Sequence, residues 1–215
     1  MNQSQSHGFI WENEIREKVF ELPCYKNDTN KYDILAKDNK WDNNENISIK
    51  TSKTDNVDCG DIIRFFDYDF SKINTIIVIR YFQKEEYKCI KEMIEIDYNL
   101  ELRNYLFGSV TKDKLMDLNN MVKNVKNGKI TREEHKEIFD FKNKIQKEYG
   151  MYIRVAIKID SKNQRRVQCS IPKLYSLLEK FPLNIKNKTF GNIIRGIAIS
   201  EMIYSLPRIR HSKKS

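Results

Sequence analysis

The chain has 215 residues, 40% of them hydrophobic and 32% charged, with a formal net charge of +9. That is the balance of an ordinary soluble globular domain, and no apolar run approaches the roughly 20 residues that cross a bilayer. The opening MNQSQSHGF lacks the basic end and apolar stretch of a signal peptide, so an intracellular protein without membrane association is expected.

In chain order, GFIWENEIREKVFELP sets Trp11, Ile15 and Val19 four residues apart, the apolar face of a helix that Pro23 ends. KYDILAK and NISIKTSK alternate apolar and polar residues around the polar turn WDNNEN, which predicts two neighbouring strands. DCGDIIRFFDYDF predicts a short helix or turn opening near Asp58 to Asp61. NTIIVIRYF, nearly continuous in β-branched residues, predicts a central buried strand, and YKCIKEMIEID another. Residues 111–148 read as two charged helices broken around Gly128, the second opened by a capping box of Thr131 and Glu134. MYIRVAIKIDSKNQRRVQCSI alternates on both sides of a polar turn and predicts a hairpin. PKLYSLLEKF and GNIIRGIAISEMIYSL predict two closing helices, followed by the basic tail PRIRHSKKS.

This order predicts a single α/β domain over 1–215: a mixed central sheet flanked by helices, with a helical insertion and a C-terminal part of hairpin plus helices. Residues 8–100 form the expected catalytic core, 101–150 the helical segment, and 151–215 the part expected to carry recognition. Cys24, Cys59, Cys89 and Cys169 form no CxxC pair and the three histidines are scattered, which argues against structural zinc and for reduced, mostly core cysteines. The excess of Lys and Arg fits an anionic partner such as nucleic acid and, equally, a Lys-rich surface kept for solubility.

If the two strands over 31–53 are neighbours, Asp33 and Lys50 meet at one sheet edge. An aspartate there can hold a divalent cation through oxygen. A lysine beside it can orient a water whose pKa the cation lowers. Magnesium needs few protein ligands, because it keeps several waters. Each residue taken alone also fits a solvated strand position.

Together these residues resemble the PD-(D/E)xK nucleases, whose best-known branch is the type II restriction endonucleases. GFIWENEI matches the first-helix element through Glu12, YDI supplies the aspartate Asp33, and SIK supplies the lysine Lys50. The resemblance covers roughly residues 8–82. It implies a restriction-endonuclease-like fold and Mg²⁺-dependent hydrolysis of double-stranded DNA at a specific sequence, with Mn²⁺ as a substitute ion. It also implies a symmetric homodimer acting on a short palindrome. Ser48 stands where the common pattern has an acid. One subgroup with a serine-x-lysine form draws its second carboxylate from the following helix, which makes Asp61 the candidate, with Asp58 in reserve and Glu12 a further contributor. Asp61 fits a helix N-cap equally well.

For DNA contact the candidates are Arg165, Arg166 and Gln168 beside the hairpin turn, since arginine can bridge guanine and glutamine can pair with adenine. Lys53 and the tail residues Arg208 and Arg210 are candidates for phosphate contact. A solvated turn and a solubilising tail explain the same residues. The rival functions are a junction-resolving nuclease of the same fold, a non-catalytic DNA-binding protein, and a protein-interaction module whose charge is only surface.

Overall fold

A computed structural model describes residues 6–24, 31–126, 130–159 and 164–206. The chain begins with α1 (Ser6–Glu14), continued by a π-helical turn (Ile15–Val19), and then β1 (Glu45–Ser52), β2 (Val57–Asp61), α2 (Ile62–Phe66), β3 (Ile73–Lys84) and β4 (Tyr87–Asp97). Next come α3 (Leu100–Phe107), α4 (Lys112–Asn124), α5 (Arg132–Glu148), β5 (Arg154–Ile159), β6 (Arg165–Ile171) and α6 (Leu174–Lys180). The described part closes with the short strands β7 (Ile185–Phe190), β8 (Ile193–Ile194), β9 (Ile197–Ala198) and β10 (Met202–Tyr204). The fold class is mixed α/β, with a curled mixed sheet flanked by helices, as expected. The chain divides into two compact units, Met1–Thr54 with Thr75–Ile96 and Ile185–Ser215, and Asp55–Asn74 with Asp97–Asn184.

The first unit is built on a sheet in the order β1-β3-β4-β10, with β7 also paired to β4. The four-residue spacing on α1 and its π turn works as expected: Trp11, Ile15 and Val19 are fully buried, and Phe20 joins them. They form one core with Ile47 and Ile49 of β1, Ile77 and Ile79 of β3, and Ile90 and Met93 of β4. Polar bonds fasten the helix to this unit's C-terminal segment. The Trp11 indole donates to the Ser200 carbonyl at 2.9 Å. The Glu14 carboxylate accepts from the backbone N–H and the hydroxyl of Ser200, at 2.6 and 2.5 Å. Buried Glu45 is satisfied at the same sheet, accepting from Thr75, Lys186 and Arg195.

The second unit carries a sheet in the order β2-β6-β5. Val57, Cys59, Val155, Val167, Cys169 and Ile171 are buried on one of its faces, and α2 and α4 pack against its strands. Phe65 stacks on Tyr98 at 4.5 Å between ring centroids. The capping box at Thr131 and Glu134 is present as predicted, each residue bonding the other's backbone.

Two predicted elements differ. Residues 31–37 do not form a full strand: Ile34 makes a single bridge to Ile47, and Ala36–Asp38 turn into a 3₁₀ helix. The ladder stops because the Asn46 side chain takes the Ala36 N–H at 2.8 Å, in place of a backbone partner. The apolar helix predicted over GNIIRGIAISEMIYSL is instead three short strands. Arg195 and Gly196 both have positive φ, 51° and 79°, the geometry of a two-residue hairpin turn, and they join β8 to β9. Ile194, Ile199 and Ile203 still enter the core. In 58–66, the segment holding Asp58 is the strand β2 and the helix α2 starts only at Ile62.

Candidate active site

Asp33 and Lys50 come together within the first unit. The Lys50 ammonium lies 3.5 Å from Oδ2 of Asp33, and the two side chains keep 21% and 17% of their exposure. Local folding explains the meeting. The chain at 33–34 pairs with β1 through Ile47. One N–H further along β1, that of Ile49, is accepted by the Asp33 carboxylate at 2.5 Å. That bond orients the carboxylate toward the strand position that carries Lys50.

Glu12, on α1, completes the group. Its carboxyl is pushed up to about 8, first by burial and then by the negative charge of Asp33, with a hydrogen bond between the two carboxyls; Lys50 and Arg16 pull the other way. Two carboxyls this close cannot both ionise freely, so near neutral pH the pair holds back one of its two negative charges. Arg16 follows Glu12 by one helical turn and donates its guanidinium to the Asp33 backbone carbonyl. It also reaches the Pro23 carbonyl at 3.3 Å. Arg16 sits in the π turn, a distortion that recurs at functional sites. Arg16 belongs to no sequence motif, and its four-residue spacing from Glu12 is the one local signal that points to it.

Ser48 shares the Lys50 side of β1 by strand alternation and is buried, 1% exposed. Lys53 is exposed in the bend after β1. Asp58 and Asp61 belong to the second unit. There the Asp61 carboxylate N-caps α2 by accepting from Arg64 N–H at 2.9 Å, and Asp58 accepts from Gly60 N–H at 2.9 Å. Within the first unit, the carboxyl whose ionisation is tied to Asp33 is that of Glu12. Arg165 donates to the carbonyls of Lys123 and Val125 at 3.0 and 2.8 Å and so ties off the end of α4. Arg166 and Gln168 lie on the half-exposed face of β6. Arg208 and Arg210 lie outside the described residues.

Among the described residues, no group of three or more His, Cys, Asp or Glu side chains is gathered as a metal site. The pair of Glu12 and Asp33 nevertheless suits a hard divalent cation. It offers only oxygen ligands, and Mg²⁺ needs no more than one or two carboxylates because it keeps several waters. No described helix is long and apolar enough to cross a membrane. No protein-family model, curated protein or solved structure matches the chain.

Proposed function

We propose that the chain is a divalent-metal-dependent endodeoxyribonuclease of the type II restriction kind, hydrolysing phosphodiester bonds in double-stranded DNA. The observation that carries this reading is the convergence of Glu12, Asp33 and Lys50, three residues far apart in sequence, with the Lys50 ammonium 3.5 Å from the Asp33 carboxylate. The resemblance of these same positions to the PD-(D/E)xK pattern supports it, as does the net charge of +9.

Glu12 and Asp33 would hold the cation, Mg²⁺ or Mn²⁺, which when bound lowers the pKa of water and offsets charge on the phosphate. The chain's own residues do the rest. The Ile49 N–H and the ion pair with Lys50 fix the Asp33 carboxylate. Arg16 holds the Asp33 backbone from the helix side. Lys50 presents an ammonium that orients the attacking water and meets the charge developing on the phosphate. One such trio cuts one strand, so cutting both strands calls for two copies, most simply a symmetric homodimer.

The experiment is incubation of the purified chain with a mixed-sequence plasmid and Mg²⁺, with and without chelator. Discrete fragments that vanish with chelator are the expected result. Fragments restricted to branched DNA would move the assignment to a junction-resolving enzyme, and no cleavage with either Mg²⁺ or Mn²⁺ would sink it.

A further inference from the structure

The sheet of the second unit has one half-exposed face, which includes Arg166 and Gln168. On β5 and β6 it carries three directly opposed pairs: Arg154 with Ser170, Ala156 with Gln168, and Lys158 with Arg166. Their alternate neighbours Val155, Val167 and Cys169 are buried, so the pleat turns these polar pairs to one side. Arg154 and Lys158 are exposed, and the other four are partly so. Among the described residues none of the three cations lies in an ion pair. Arg166 donates to Gln164 at 3.1 Å, while its Nε is buried with no acceptor.

We propose that this β5–β6 ribbon is a duplex-reading element, with Gln168 and Ala156 at its centre facing an A·T pair in the major groove and Arg154, Lys158 and Arg166 placed on phosphates. The proposal rests on the nuclease reading for the choice of DNA as ligand. A two-stranded ribbon fits the major groove, glutamine is bidentate to adenine N6 and N7, and an alanine methyl packs on the thymine methyl. Arg154 and Lys158 stand four residues apart on one strand, about 13 Å at roughly 3.3 Å per residue. That span matches the groove width of about 12 Å, so the cations fall toward its opposite phosphate walls. β5 is the outer strand of its sheet, which sets the basic edge forward. The acids on the same face, Asp58 and Asp61, lie on β2 opposite Ser170 and Gln168. They are two strand spacings from β5, about 10 Å, and each accepts a local backbone N–H.

The test measures binding of the full chain to short labelled duplexes in chelator, so that binding is read without cutting, across a salt series. The triple variant Arg154→Ala, Lys158→Ala, Arg166→Ala should flatten the slope of log affinity against log salt by about 2.7, at ~0.9 per lost phosphate contact. Removing three exposed charges from α5 (Lys136→Ala, Lys144→Ala, Lys147→Ala) should leave the slope unchanged. Gln168→Ala should lower the preference for A·T at one position of selected duplexes by about 5- to 150-fold. Matched thermal unfolding of all variants keeps misfolding apart from lost contacts. If wild type binds and cuts DNA, and the triple variant keeps the wild-type slope, the ribbon proposal fails and the nuclease reading stands. If wild type binds without cutting and the variants lose slope and preference, the ribbon proposal stands and the nuclease reading fails. Absence of any wild-type DNA binding at low salt overturns both.

Discussion

Oδ2 of Asp33 serves two donors at once, the Ile49 N–H at 2.5 Å and the Lys50 ammonium at 3.5 Å. The first is a backbone group that cannot move away, so the carboxylate is held in place before any ligand arrives. Lys50 is in turn held by the carboxylate. Such prior placement removes ordering that would otherwise accompany binding and reaction.

Lys50→Ala should therefore lower the cleavage rate at saturating DNA by at least about 100-fold, the lower end for a group that orients or moves a proton, while duplex affinity stays as in wild type. Single-turnover cleavage together with a binding titration checks this. A rate within a few-fold of wild type would take Lys50 out of the chemistry.

Glu14, the last residue of α1 and two residues after Glu12, anchors that end of the helix to Ser200. Glu14→Ala leaves the Ser200 N–H and hydroxyl without their acceptor, and should cost about 1–3 kcal/mol in urea unfolding. Glu14→Gln keeps one acceptor oxygen and should cost less. Equal stabilities of all three proteins would show that the Ser200 anchor contributes nothing.

Acid should unfold the chain partly through Glu45. This carboxyl is lowered from 4.5 to about 2 despite its burial, because Arg195, Lys186 and Thr75 bond to its ionised form. A carboxylate whose folded pKa is depressed contributes stability above its unfolded value, and that stability is lost as pH falls through the folded value. The contribution is about 3 kcal/mol at neutral pH and disappears between roughly pH 4.5 and 2. Stability measured against pH should fall less steeply in that window for Glu45→Gln, which should also be the less stable protein at pH 7. Parallel curves for the two proteins would contradict the assignment.

Gly108 has φ +59°, and a β-carbon there would meet the Tyr149 carbonyl oxygen at 1.9 Å. Gly108→Ala should lose more than about 1 kcal/mol from the backbone angle alone, with the clash against a main-chain atom added. Gly150→Ala has a similar angle, φ +63°, but open space around it. It should cost the smaller, angular part only, and a denaturant midpoint for each variant separates the two effects.

Much of this was legible from local rules. The spacing of Trp11, Ile15 and Val19 foretold the buried face of the first helix, since a helical repeat depends only on neighbouring residues. Alternation marked β1 and the β5–β6 hairpin, a nearly continuous β-branched run marked β3, and the capping box at Thr131 marked the start of α5. Alternation misled where a side chain replaced a backbone partner: Asn46 ended the pairing of residues 31–37 that periodicity alone would have prolonged. Over 191–206 the apolar content was right and the period was wrong. Ile194 and Ile203 are buried from strands, because Arg195 and Gly196 adopt positive φ and turn the chain back.

By itself the sequence determined the residue types at the candidate centre: a carboxylate at 33, an ammonium at 50, a serine in place of the usual acid, and a glutamate on the first helix. It also determined the surplus of positive charge. Only the tertiary structure decided which second carboxyl stands with Asp33, that Arg16 braces it, and that Arg165 is spent on a helix end while Arg166 and Gln168 share an open face. The reason is physical. Charge and local period are properties of nearby residues, whereas the burial that raises the Glu12 carboxyl and the packing that sets it against Asp33 arise only when α1 is laid over the sheet.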